Sequence, residues 1–206
     1  MRDMHWLITV EPKPAMVGNT VGSLMENQKA IITGCLLGDG AMRCKTNALL
    51  EINHSIKQKA YVDWKYEWLR NMVSSPPKAR RCNGDRVAYR FTTRSLPELT
   101  RFYRRFYKDG KKIIPDDLEL TPLSLAVWFM DDGCKSYRAI YLNTQKFDTQ
   151  STNRLVELLK RQYGITARLN KDKSYYRLRV TVESAARFKE IVKDHILPFF
   201  QYKLPS

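Results

Sequence analysis

LAVWFMDDG, residues 125–133, is an apolar helical run that stops on two carboxylates and a glycine. A second stretch of the same length, ITGCLLGDG at residues 32–40, ends on the same Asp-Gly pair, so Asp39 stands where Asp132 stands. An acidic residue at a helix C-terminus sits at the negative end of the macrodipole, among carbonyls that lack donors. A divalent cation shared by carboxylate and carbonyls relieves that cost, and Mg²⁺ prefers such hard oxygen ligands. One copy alone reads as an apolar helix closed by glycine beside an exposed aspartate. Two copies in equivalent frames point to a site.

Working outward, Gly34 and Gly38 lie four apart on one face of the first motif helix. Facing Ala126 of the second, they allow a close two-helix seam that brings Asp39 and Asp132 together at one end. Ser23 and Glu26 form the expected capping box of the first helix, and Thr121 and Pro122 the N-cap and N1 of the second. After each motif the period changes to alternation: Leu50, Ile52 and His54 oppose Leu49, Glu51, Asn53 and Ser55, and Ile140 and Leu142 oppose Tyr141, Asn143 and Gln145. Next comes a helix, with Tyr61, Trp64, Trp68 and Met72 as its core face in the first half and residues 153–163 in the second.

Paired strands follow, at 78–82 and 86–93 around Asn83-Gly84-Asp85. Their counterparts are 165–170, with Ile165, Ala167 and Leu169 inward, and 174–182, with Tyr176, Leu178, Val180 and Val182 on the apolar side. A basic helix capped by Ser95 and Glu98 and ending near Gly110, and a last helix from Ser184, complete the two halves. Offsets between equivalent positions are 93 for Asp39 and Asp132, 90 for Asn53 and Asn143, 87 for Arg90 and Arg177, and 91 for Lys112 and Lys203. Such near-constancy marks an internal repeat.

At these residues the chain resembles a LAGLIDADG homing endonuclease in its single-chain, two-motif form. Both motifs depart from the consensus letters but keep the small residues, the apolar body and the terminal Asp-Gly. The resemblance covers residues 23 to 205 and implies an α+β fold of two pseudo-symmetric αββαββα halves, 23–115 and 121–205, whose two antiparallel sheets form a DNA-binding saddle. Residues 1–22, with Pro12, Pro14, Gly18 and Gly22, are expected to be an N-terminal arm of unknown role.

Composition agrees. With 206 residues and 43% hydrophobic content the chain can fold around a sizeable core, and 36 Lys and Arg against 21 Asp and Glu leave +15, a balance suited to nucleic acid. No apolar run reaches the roughly 18 residues of a membrane span and no signal-peptide core is present, so a soluble intracellular protein is expected, in an organelle, bacterium or phage alike. Cys35, Cys44, Cys82 and Cys134 lack metal-ligand spacing and read as reduced thiols. His5, His54 and His195 are too scattered for a zinc or histidine-centred nuclease and read as structural.

The family resemblance further implies roles. Asp39 and Asp132, with the backbone carbonyls of Gly38 and Asp131, are expected to hold Mg²⁺, for which Mn²⁺ substitutes. The Asp131 side chain reads as structural. Lys112 and Lys203 are expected to stabilise charge on the phosphate, and Gln145 to position water, with Ser55 as its unequal counterpart. The predicted DNA-binding residues are Arg43, Lys45, Asn53, Arg80, Arg86 and Arg90 in the first half. In the second they are Lys135, Arg138, Asn143, Arg168, Asn170, Lys173, Tyr175, Arg177 and Arg179. The expected activity is metal-dependent double-strand cleavage, with short 3′ overhangs, of a long non-palindromic duplex bound by a monomer. An intron RNA maturase and a non-cleaving DNA-binding regulator are the alternatives that the fold alone does not separate.

Overall fold

Two runs of the same order, αββαββα, make up the described part of the protein, residues 23–82 and 84–205 of a computed structural model. The expected N-terminal arm, His5 and Asn83 lie outside the described residues. The first run is α1 (Glu26–Leu37), β1 (Ala41–Cys44), β2 (Ala48–Ser55), α2 (Lys59–Leu69), β3 (Lys78–Arg81), β4 (Val87–Thr92) and α3 (Pro97–Phe106). A small hairpin, β5 (Tyr107–Lys108) and β6 (Lys111–Lys112), follows. The second run is α4 (Pro122–Asp132), β7 (Gly133–Ser136), β8 (Ala139–Leu142), α5 (Thr149–Tyr163), β9 (Ala167–Asp172), β10 (Tyr175–Val180) and α6 (Val182–Val192).

Each half folds its strands into one antiparallel sheet, in the orders β1-β2-β4-β3 and β7-β8-β10-β9. The registers make the duplication quantitative. Ala41 pairs with Glu51 and Ile52 with Phe91 in the first sheet; Gly133 pairs with Leu142 and Leu142 with Leu178 in the second. Carrying the first ladder back one residue places Gly40 opposite Ile52, so Ile52 matches Leu142 and Phe91 matches Leu178. It follows that Asn53 matches Asn143, Arg90 matches Arg177, His54 matches Thr144 and Ser55 matches Gln145.

The two motif helices pack against each other at the centre, and the reason is steric. Gly34 lies so close to α4 that a Cβ there would stand 2.6 Å from both the Ser124 carbonyl oxygen and the Val127 Cβ. Residues 123–130 of α4 are buried throughout, as are Ile31, Ile32, Cys35, Leu36 and Leu37 of α1. Thr121 caps α4 as expected: its hydroxyl accepts from the Ser124 N–H at 3.1 Å while the Ser124 hydroxyl accepts from the Thr121 N–H at 2.8 Å.

Several expected boundaries move. The N-cap of α1 is Met25 rather than Ser23, because Gln28, not Glu26, reaches back to the Met25 N–H at 3.2 Å. The buried face of α2 is Tyr61, Val62, Lys65 and Leu69, with Met72 just beyond it; Trp64 and Trp68 are only half-buried. Leu96, not Ser95, caps α3, and the helix ends at Phe106 because Asp109 and Gly110 turn a hairpin with φ of 49° and 74°. The α5 helix starts at Thr149, where the Asp148 carboxylate accepts from the Ser151 N–H at 2.7 Å. Ile165 precedes β9, and β10 stops at Val180, so Val182 opens α6 two residues before Ser184, with Thr181 as the N-cap.

The seam makes a prediction whose sign is decided by space. Helix propensity alone favours Gly34→Ala by about 1 kcal/mol, whereas the clash with backbone favours glycine and costs about 1–3 kcal/mol. Chemical denaturation should show net destabilisation; a stabilised variant would mean that the two helices are not in this close contact.

Candidate metal centre and nucleic-acid interface

Asp39 lies two residues past α1 and Asp132 is the last residue of α4, each just ahead of the first strand of its sheet. Their side chains are 43% and 14% exposed. Burial first, then repulsion by Asp132 and Asp131, pushes the Asp39 carboxyl up to about 6. Burial also raises Asp132. Between them lies an interlock: a Cβ on Gly38 would meet the Asp131 Cβ at 2.4 Å, and the Asp131 carboxylate fills that space and accepts from the Asp39 N–H at 3.1 Å.

Three ammonium groups hold the carbonyls at these helix ends. Lys112 Nζ donates to the carbonyls of Leu36 at 2.8 Å, Gly38 at 3.3 Å and Gly40 at 2.5 Å. Lys203 Nζ donates to Met130 at 2.6 Å on the other helix. Burial pulls both lysines down, Lys112 to about 8, helped by the charge of Lys146. Lys146 is the third, and the sequence reading missed it. Its Nζ lies 2.6 Å from the Gly38 carbonyl oxygen and 3.0 Å from Asp132 Oδ2. Its place follows β8 in a loop, one residue past Gln145, and its repeat partner is the apolar Ile56, so periodicity offered no signal.

The Lys146 contacts also test whether the site suits a divalent ion. A carbonyl from one half and a carboxylate from the other already converge on one cationic nitrogen, and the Asp39 carboxylate is partly exposed beside them. That hard-oxygen set fits Mg²⁺ or Mn²⁺.

A second missed residue is Lys65, fully buried in α2. Its Nζ donates to Asp131 Oδ1 at 2.7 Å and contacts His54 Nε2 at 3.1 Å, while the Tyr61 hydroxyl donates to the same Asp131 oxygen at 2.8 Å. Burial opposes the charges on both partners. For Asp131 its neighbours, Lys65 foremost, together outweigh it, and for Lys65 its neighbours, Asp131 foremost, so the carboxyl is lowered and the ammonium raised. An ammonium has no lone pair, so His54 Nε2 accepts and Nδ1 carries the proton, facing Asp39 Oδ2 at 3.7 Å. Burial, then Lys65, drops His54 to about 4, which keeps the ring neutral. Asp39, His54 and Asp131 lie close enough to ligate one metal ion. Lys65 already supplies the charge Asp131 needs, however, and would repel a second cation there. Removing either member of such a buried pair alone costs about 3–5 kcal/mol.

The predicted interface residues divide by register. Arg43, Asn53, Arg80 and Arg90 share the solvent face of the first sheet, and Asn143, Arg168, Asn170, Tyr175, Arg177 and Arg179 that of the second. Lys45, Arg86, Arg138 and Lys173 sit just beyond strand ends or in turns. Lys135 is a correction. It pairs with the buried Ile140 and so points to the helix side, where it lines a cavity of about 380 Å³ with Lys189 and Lys193. Alternation was misjudged there because Lys135 lies on an edge strand, where even the helix side can reach water. Two acids on the solvent faces hold arginines in place: Glu51 pairs with Arg43 and, at 3.8 Å, with Arg90, and Asp172 with Arg177 at 3.1 Å. Arg177 also lies over the Tyr141 ring at 4.9 Å. Gln145 is exposed and donates to Asn143 Oδ1 at 3.4 Å, while Ser55 caps a short 3-10 turn.

With this geometry in view, the sequence pattern of the LAGLIDADG DNA endonuclease family matches residues 29–188. The chain belongs to that family. It is 31% identical over 204 residues to the protein RecA of Mycobacterium gastri, covering 88% of this chain and 48% of that one. It is 27% identical over 215 residues to the cytochrome b mRNA maturase bI2 of Saccharomyces cerevisiae, covering 91% and 49%. The chain thus spans about half the length of these curated relatives. Among solved structures it is similar to the homing endonuclease I-WcaI bound to its DNA recognition sequence, with a TM-score of 0.83, 25% identity and coverage of 89% and 88%. I-DmoI, at 12% identity and a TM-score of 0.56, shares the fold. Among the described residues no helix is long and apolar enough to cross a membrane.

The raised Asp39 carboxyl has a signed consequence for stability. Its folded value of about 6 exceeds the ordinary 3.8. Its ionisation therefore weakens the fold as pH rises from about 4 to about 6, and the penalty is complete above that window. In chelator, Asp39→Asn should raise the melting temperature at about pH 7.5, with the gain vanishing by about pH 4. An unchanged or lower melting temperature at about pH 7.5 would show that the carboxylate is not crowded.

Proposed function

We propose that this chain is a homing endonuclease that cuts both strands of a long, non-palindromic DNA site in a divalent-metal-dependent reaction, leaving short 3′ overhangs, and that it works as a monomer. The observation that carries this reading is the pairing of Asp39 and Asp132 at the ends of two interlocked helices, at the start of two sheets whose solvent faces bear arginine and asparagine at alternate positions. Ribbons of this kind fit a major groove and present donors to base edges. The halves differ at most paired positions, which suits a target whose half-sites differ.

In this reading Asp39, Asp132 and the carbonyls of Gly38 and Asp131 hold the ions. A bound divalent ion supplies Lewis acidity and lowers the pKa of the attacking water. Lys112, Lys203 and Lys146 sit at the same helix ends and offset the charge that builds on the phosphate. Gln145 orients water in the second half. His54 and Lys65 stay away from the reacting atoms.

The similarity to a cytochrome b mRNA maturase favours a second reading, in which the same surface serves intron RNA. A regulator without chemistry has less support, since it has no use for two crowded carboxylates.

Incubation with a library of random duplexes and Mg²⁺ or Mn²⁺, followed by sequencing of cut ends, should return one enriched long site with short 3′ overhangs. Asp39→Asn and Asp132→Asn should each cut the double-strand rate by about 100-fold or more while sparing DNA binding in Ca²⁺. Gel filtration should give the mass of one chain, 24.2 kDa. Absence of any cut site, full activity in either variant, or a palindromic target bound by a dimer would contradict the proposal.

A further inference from the structure

The two aspartates are equivalent by repeat, but their surroundings are not. Asp131 has Gly38 as its counterpart, so the bond from the Asp39 N–H to the Asp131 carboxylate at 3.1 Å has no mirror image. His54 has Thr144 as its counterpart, whose hydroxyl is turned away to the Tyr176 carbonyl at 3.0 Å. Asp39 therefore stands at the end of a buried polar chain, Asp131 to Lys65 to His54, with its own backbone N–H held by the first member and its carboxylate faced by the last. Asp132 instead has one flexible lysine, Lys146, reaching in from a loop.

We infer that Asp131, Lys65 and His54 form a positioning relay for Asp39 alone, so that the two cleavage centres are built differently and cut their strands with separate dependence on this buried triad. The inference rests on the nuclease reading. None of the three side chains touches the reacting atoms: each fixes a neighbour, and Asp131 meets the ions only through its backbone carbonyl. Asp131 belongs to the second half and Lys65 and His54 to the first, so the relay also ties the aim of the Asp39 carboxylate to correct seating of the halves. Lys65 is the pivot, because its ammonium donates one hydrogen bond to a carboxylate and another to an imidazole, leaving the imidazole one tautomer, with Nδ1–H on the side of Asp39, whose carboxylate lies 3.7 Å away, while the Gln58 side chain also hydrogen-bonds the ring.

The test uses the full-length chain and the duplex selected from the library, labelled on both strands, in single turnover with Mg²⁺. His54→Ala should slow one strand roughly tenfold more than the other, with DNA affinity in Ca²⁺ unchanged. His54→Gln should recover much of the loss, since its amide can accept from Lys65 and donate toward Asp39. A merely structural role would slow both strands alike, and equal slowing, or none, overturns the inference. If His54→Ala does not fold, the strand ratio in His54→Leu, which fills the space but can neither accept from Lys65 nor donate toward Asp39, decides the matter: an altered ratio with an unaltered binding constant supports the relay and an unaltered ratio overturns it. Independently of cleavage, nitrogen NMR of ¹⁵N-histidine-labelled protein should show His54 neutral and protonated on Nδ1. The paired replacement Lys65→Met with Asp131→Asn, which removes both charges together, should abolish that preference. An Nε2-protonated ring in the unmutated protein overturns the relay. A protein that cuts no duplex at all refutes the nuclease reading, and the tautomer still decides the relay.

Discussion

The structure depends on how closely α1 and α4 approach. Only glycine fits at Gly34, and at Gly38 the missing side chain is replaced by the carboxylate of Asp131 from the opposite helix. Because the contact runs to the last turn of both helices, two helix C-termini and their aspartates are forced together. Nothing in a polypeptide alone makes that favourable: the carbonyl ends and carboxylates all carry negative charge. The fold accepts the repulsion and offsets it with lysines on the carbonyls of Leu36, Gly38, Gly40 and Met130.

Those lysines do not remove the reason for a metal. Asp39 stays raised and partly exposed despite them, and the contacts of Lys146 show where a cation is drawn. A centre of this kind is preorganised, since its geometry is set by helix packing and not by the ion. The sheets extend the same logic outward: each presents its apolar residues to the helices and leaves arginine, asparagine and tyrosine on the far side. Glu51 and Asp172 hold some of those arginines in place.

Most of the fold was legible because it is written twice. Alternation placed Asn53, Arg90, Asn143 and Arg177 on their correct faces, and the ladder registers return the same pairs. Element ends were less legible, since single side chains decide them: Gln28 reaching back to Met25, Asp148 capping α5 so that it begins four residues before the expected start, and Asp109-Gly110 turning a hairpin where a helix was expected to run on. At the centre, the repeat that revealed Asp39 and Asp132 concealed Lys65 and Lys146, while alternation placed His54 on the core side of its strand. The counterparts of the two lysines in the other half are different residues, and nothing local marks a lysine as buried. Lys65 is legible only once Asp131 is known to lie 2.7 Å away, across the seam from the other half of the chain. Lys135 failed in the opposite direction, a basic residue whose side of the sheet only the pairing with Ile140 reveals.

The account stands on one claim: the paired helix ends form a single cation-binding centre facing nucleic acid. Anomalous diffraction from crystals of the protein with its selected duplex and Mn²⁺ addresses it most directly. The account predicts manganese in contact with the carboxylates of Asp39 and Asp132 and with DNA phosphate oxygens. Manganese bound only elsewhere, or a duplex lying away from those two side chains, would contradict it.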